Sequence, residues 1–291
     1  MEIENEFLKL SVTPKGGSLT SVYDKEKNKE LLYQPLKESW QGQDVFMFPF
    51  VGRLLEGTYV IGGKSYAMKN HGLVRYMEGN LKKENDGSIS CYFESDKETL
   101  KQYPYPFDCY SNYSIWGKKV TVQYHIFNKG KEDMPFGCGC HPAFRLPGER
   151  KEGEFDISGN RIVFDHRLSL VREDMEPEYH FMNGKEVTTT SDHIDLTKEL
   201  FREHPTVILH LPKVKEFTLE KTDGSRIRFY KGHAPYLVLW SDPKWGDYVA
   251  IEEWYSLPDF VGGNKDLREK KSILTLPAHQ EYSFSYSFEI K

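Results

Sequence analysis

The stretch 137-GCGCHPAFRLP-147 places Cys138, Cys140 and His141 within four residues, directly before Pro142. Three chemistries are open to such a cluster: a metal site, a disulfide element, or a proton-transferring histidine at the end of a strand. The cysteines alternate with glycines in a strand-like pattern, so both thiols point to one face. A zinc site wants a second pair of ligands at a spacing such as CxxC. Cys91 and Cys109, the other two cysteines, stand alone. No metal is therefore expected, and the cysteines read as small apolar strand residues. His141 keeps its chemistry, because an imidazole gives and takes a proton near neutral pH.

Two further stretches carry polar side chains that strands do not need for their own stability. The segment 48-FPFVGRLLEGTYVIGGKSYAMKNHGLVRYMEG-79 gathers Arg53, Asn70, His71 and Arg75, with Gly52 and Gly72 among them. The segment 249-VAIEEWYSLPDF-260 sets Glu252 inside an apolar run. Strand alternation puts Glu252 with Trp254 on one face and Ile251 with Glu253 on the other. A carboxylate beside an indole can be partly desolvated, as a general base has to be. Taken singly, each residue also fits a plain role: the histidine as a buried hydrogen-bonder, the arginines in ion pairs, the glutamates on a solvated strand.

The elements that must position these residues are strands. Tyr113 and Ile115 precede the turn Gly117-Lys118, and Val120, Val122 and Tyr124 alternate after it, which predicts a hairpin over 110–130. A second hairpin is predicted over 216–232 around Asp223-Gly224. Alternating aromatics predict a strand over 281–291, and 7–34 reads as three short strands with a Gly-Gly turn. Helical signals are few: a short helix over 97–103, capped by Ser95 or Asp96 and ended by Pro104, and a turn or two within 192–203. Turns every 8–12 residues point to an all-β sandwich or barrel rather than βαβ units. No linker or repeat divides the chain, so one domain over 1–291 is expected.

Composition narrows the function classes. Aromatics make up 14% of the 291 residues, with 18 Tyr, 18 Phe and 5 Trp. They suit strands and offer flat faces to sugar rings. The net charge is −5 and the basic residues are dispersed, so no nucleic-acid partner is expected. No apolar run is long enough to cross a membrane, and the start MEIENEFLKL lacks the apolar core of a signal peptide. A cytoplasmic protein with reduced cysteines is expected.

In chain order the quoted segments read FPFVGR, NHGLVR, GCGCHPAF and IEEWYSLPD. This series resembles the aldose 1-epimerase (galactose mutarotase-like) superfamily, and within it the LacX-type proteins and the related hexose-6-phosphate 1-epimerases. Residues 5–291 can be threaded onto the family order. The resemblance implies an antiparallel β-supersandwich and an isomerase that needs no cofactor. It implies His141 as general acid and Glu252 as general base. Arg53, Asn70, His71 and Arg75 match positions that hold the sugar or its phosphate. The chain departs from the pattern at Glu253, where the family has proline, and at Arg145, where relatives often have asparagine. An aspartate found upstream of the base in relatives corresponds to His204, or to Asp192 if loop lengths differ. The implied partner is a small sugar or sugar phosphate, the assembly a monomer or homodimer. Phe144 is expected to wall the cleft, and Arg145 either to extend an anion-binding patch or to face solvent.

Overall fold

The computed structural model describes residues 1–151, 154–176, 181–202, 205–242, 244 and 246–291, with backbone alone at 150, 151 and 154. The period-two segments form the strands that alternation predicts. Phe107–Trp116 pairs with Lys119–Asn128 around Gly117-Lys118, in register from Phe107↔Asn128 to Trp116↔Lys119. Gly117 takes φ +56°, the left-handed conformation that such a two-residue turn requires. Glu216–Glu220 and Arg226–Tyr230 form the second hairpin, and Glu281–Ile290 lies between Arg226–Tyr230 and Lys119–Asn128. Near the N-terminus, Glu2–Glu4, Leu8–Val12, Leu19–Asp24 and Lys29–Glu30 make a separate antiparallel sheet.

The short helix is Lys97–Gln102. The Asp96 carboxylate accepts from the N–H groups of Glu98 and Thr99, and Thr99 Oγ1 accepts from Asp96 N. The turn or two expected within 192–203 is the helix Lys198–Arg202, and before it Met182–Leu196 is a strand that runs through Asp192. That strand pairs with Asn160–Met175, with Ile194↔Ile162 and Leu196↔Asn160.

One large antiparallel sheet supplies the frame. Along one half the order is Phe46–Met47, Gly139–Cys140, Tyr248–Trp254, Tyr236–Trp240 and Thr206–His210. The other half runs from Glu216–Glu220 to Asn80–Asn85. Asn160–Met175 joins them, pairing with Thr206–His210 through residues 171–173 and with Glu216–Glu220 through 161–163. The halves fold onto each other and the aromatics fill the space between. Phe46 packs on Tyr124 and Phe284, and Phe144 on Phe229 and Phe288.

The register fixes what faces outward from the first half. Cross-strand rows run Thr206↔Trp240↔Ala250, then Ile208↔Val238↔Glu252, then His210↔Tyr236↔Trp254. All share one face, since side chains alternate with period two. Val207, Leu209, Leu237, Leu239 and Ile251 take the other face and join the core. Phe144 belongs to that core, fully buried and turned away from the outer face, so it does not wall a cleft. Phe144→Ala should therefore cost about 3–5 kcal/mol of stability in urea unfolding. Substrate KM of the folded protein should stay near wild type.

Candidate active site

His141 and Pro142 interrupt pairing along Tyr248–Trp254. Gly139–Cys140 pairs with Trp254 and Glu253, and Ala143–Arg145 pairs with Ala250 to Tyr248. Across the break Ile251 N donates to Pro142 O at 2.9 Å. Glycine is required at 139, because a Cβ there would lie 2.7 Å from Glu253 O. This close approach brings His141 Nε2 to 3.2 Å from Glu252 Oε1. Both side chains are nearly sealed, at 7% and 1% exposure. The other Glu252 oxygen, Oε2, accepts from Trp254 Nε1 at 2.7 Å, the indole that shares its face. The approach of His141 to Oε1 is not aligned as a hydrogen bond. Glu252 Oε1 and His141 Nδ1 are buried atoms without a hydrogen-bond partner among the described residues.

His71 stands over the pair, its ring edge-on to His141 at 5.6 Å. It has φ +62° and is followed by Gly72 at +80°. A Cβ on Gly72 would sit 2.3 Å from Phe48 O, so only glycine lets the loop press this close. Gly52 N donates to His71 Nδ1 at 3.1 Å, and His71 N donates to Gly52 O at 3.0 Å. The neutral ring then carries its proton on Nε2. This double bond also ties the Arg53 loop to the Asn70–Arg75 loop.

A cleft of about 480 Å3 opens above these groups. Arg53, Asn70, His71, Arg75, His141 and Glu252 all line it. His204 lies outside the described residues, although its neighbours Pro205 and Thr206 line the cleft. Asp192 does not line it; it is exposed on its strand and bonds to His193. Arg145 is exposed beside Asp247 and is absent from the lining, so it extends no anion patch there. Glu253 faces the core, where its carboxylate accepts from Gly232 N at 2.9 and 3.1 Å.

Several lining residues carried no signal in the sequence. Trp40 stands 4.9 Å from the His141 ring and Trp240 at 5.5 Å, and the two indoles meet edge-on at 5.1 Å. Asp242, half-buried just past Tyr236–Trp240, adds a carboxylate to the rim. Trp240 sits on a recognisable strand next to Asp242, and that placement could have found both. Trp40 lies in an irregular loop where no periodicity points inward.

Burial dominates the proton chemistry. It pushes the Glu252 carboxyl well above the usual carboxylate range, against the lowering effects of the Trp254 hydrogen bond and the Arg75 charge. It pulls His141 down to about 3, with Arg75 adding to the effect, and pulls His71 well below its ordinary value. Both directions favour one proton on the pair, held as carboxyl beside neutral imidazole. Carboxyl with neutral imidazole and carboxylate with imidazolium are two placements of that proton. The thiols of Cys138 and Cys140 are pushed up by burial, which suits inert core residues rather than nucleophiles. The arrangement can thus protonate one atom of a bound molecule and deprotonate another, with arginine, amide and imidazole donors around it.

Known proteins share both the sequence pattern and this architecture. The chain is 27% identical over 283 residues to the LacX protein of Lactococcus lactis, covering 94% of this chain and 93% of that protein. A galactose mutarotase related enzyme from Lactobacillus acidophilus superposes with a TM-score of 0.91 at 26% identity, covering 100% of this chain and 97% of that one. A galactose mutarotase-like protein from Lactobacillus casei matches with the same TM-score and identity, covering 100% and 99%. The family model for aldose 1-epimerase matches residues 1–272, and the chain belongs to that family.

Proposed function

We propose that the protein interconverts the α and β anomers of an aldohexose by opening and reclosing its hemiacetal ring. The observation that carries this reading is the His141–Glu252 pair, 3.2 Å apart, nearly dry, and lining a cleft rich in donors. Anomer exchange needs little else. A base takes the proton of the C1 hydroxyl while an acid protonates the ring oxygen, which breaks the C1–O5 bond. The aldehyde turns about C1–C2 and the ring closes on the other face with the two roles reversed. Glu252 is the base, and its raised proton affinity brings it closer to that of the hydroxyl it must deprotonate. His141 is the acid. A bound sugar between them replaces their mutual contact and draws the shared proton to the imidazole. Arg53, Asn70, Arg75 and His71 Nε2–H donate to ring hydroxyls, and the Trp40–Trp240 wall takes the apolar ring face.

A second reading, hexose-6-phosphate epimerisation, is favoured by one observation. Arg53 and Arg75 line the cleft and neither forms an ion pair with a carboxylate among the described residues. Such guanidinium groups are free to take a phosphate bidentately.

Proton NMR of fresh α-D-glucose, α-D-galactose and glucose 6-phosphate should show faster approach to anomeric equilibrium with wild-type protein. Glu252→Gln and His141→Asn should each lose about two or more orders of magnitude. Glu253→Gln should stay within about tenfold of wild type, because that carboxylate faces the core. The opposite pattern for the two glutamates would reassign the base.

Arg53→Ala sorts the substrates. For a phosphorylated sugar it should raise KM by about tenfold or more, since a charge-assisted bond is worth roughly 1.5–3 kcal/mol. For a free hexose the rise should be smaller, since a neutral hydroxyl meets the guanidinium with one hydrogen bond and no charge.

Burial of Glu252 also has a stability signature. Its folded pKa lies above the unfolded value, so from pH 4.5 upward the unfolded chain gives up this proton first and folding loses stability. Glu252→Gln lacks that loss. The variant should be more stable than wild type at pH 7. The gap should close as the pH falls to 4.5, as followed by thermal unfolding.

A further inference from the structure

Behind His141 lies a carboxyl that the acid–base chemistry does not use. Asp44 is 1% exposed. It flanks Phe46–Met47, which pairs with Gly139–Cys140 through Phe46↔Cys140. The pairing continues past the strand ends, where Ala143 N donates to Gln43 O at 2.7 Å. Asp44 is therefore alongside the His141–Pro142 break. Alternation turns its side chain the way Phe46 points, into the sandwich core, while Val45 and Met47 face the cleft side. The carboxyl lies on the side of His141 opposite the cleft. The backbone N–H groups of His141, Val45 and Leu19 approach it, and Tyr124 OH donates to Oδ2 at 3.4 Å. Oδ1 has no hydrogen-bond partner, and no cation pairs with the group, among the described residues.

The position has no packing reason to be acidic. Its surroundings include Phe46, Cys140, Tyr124 and Tyr286, and an unpaired buried carboxyl costs stability that an apolar residue there would not. Burial pushes it up to about 7, against the lowering effects of these main-chain N–H groups and of Tyr124.

We propose that Asp44 is a positioning residue, which lies against the main chain at His141 from the core side and so holds the imidazole in place against Glu252. This rests on the epimerase reading above, because Asp44 acts on the reaction only through His141.

Asp44→Leu and Asp44→Asn test it by anomer-exchange kinetics on the sugar that wild type turns over, with thermal unfolding in parallel. Asp44→Leu should lower kcat by about ten- to a hundredfold, as expected when a catalytic group drifts by an ångström or less, with KM within about threefold. Asp44→Asn keeps an oxygen at the same place and should recover most of that loss. In a His141→Asn background, Asp44→Leu should cost nothing further. A folded Asp44→Leu protein with wild-type kcat overturns the proposal. If that variant does not fold, Asp44→Ser decides, since its hydroxyl is too short to reach the N–H groups: wild-type kcat there also overturns the proposal. His141→Asn separates the two readings. Full activity in that variant removes the role given to His141, and loss of activity there with wild-type kcat in Asp44→Leu removes Asp44 alone.

Discussion

A carboxylic acid sits in the middle of a central strand, and everything around the cleft answers to it. Glu252 has 1% of its side chain exposed and lies between Ile251 and Glu253, neighbours that turn the other way. Burying such a group is unfavourable unless hydrogen bonds or charges compensate. Compensation here is partial. Trp254 donates one hydrogen bond and Arg75 adds a favourable field, yet the carboxyl is still held well above its ordinary range. A fully satisfied carboxylate would be a poor base. The unfilled remainder of its bonding capacity, Oε1, is the atom that points at His141.

The same strand does two jobs because its side chains alternate. Glu252 and Trp254 serve the cleft, while Ile251 and Glu253 serve the core. Glu253 is not wasted acidity. Its two oxygens share the Gly232 N–H, Tyr255 OH donates to Oε2, and Lys231 is near, which spares it the isolation of Glu252. A register slip of one residue would exchange the two glutamates and turn Glu253 to the cleft. Two features work against that slip: the ladder to Tyr236–Trp240, and the glycine at 139, where any Cβ would collide with the strand itself.

Much of this was legible in the sequence because period-two patterns are physical. Alternation alone gave both hairpins, the C-terminal strand and the facing of Glu252, and the order of four short segments pointed to the fold and to His141 and Glu252, which it brings together. Failures fall where side-chain direction is set by remote contacts. Phe144 follows His141 closely enough to look like part of a cleft, but three residues along a strand reverse the face, and Phe229 and Phe288 claim it. Arg145 shares the outer face but is carried beyond the cleft by the strand's own rise, to Asp247. Trp40 reaches the His141 ring from a loop whose path no local rule dictates. Asp44 carries no local signal of its own, and only the pairing of Phe46 with Cys140 reveals that it lies on the core side of His141.

The site therefore divides by the kind of backbone that holds each part. Glu252 and the stretch bearing His141 belong to the paired sheet, where hydrogen bonding on both sides leaves little freedom. Arg53, Asn70, His71, Arg75 and Trp40 come from turns and loops, tied to each other by contacts such as the Gly52–His71 pair of bonds. Proton transfer tolerates little displacement, whereas recognition of hydroxyls or a phosphate can be retuned by moving a loop. Changes in sugar preference within this architecture should therefore map to the 48–79 and 34–44 loops and leave the His141–Glu252 geometry intact. A change in the chemistry itself would have to go through the strand pairing, and so through the stability of the whole sheet.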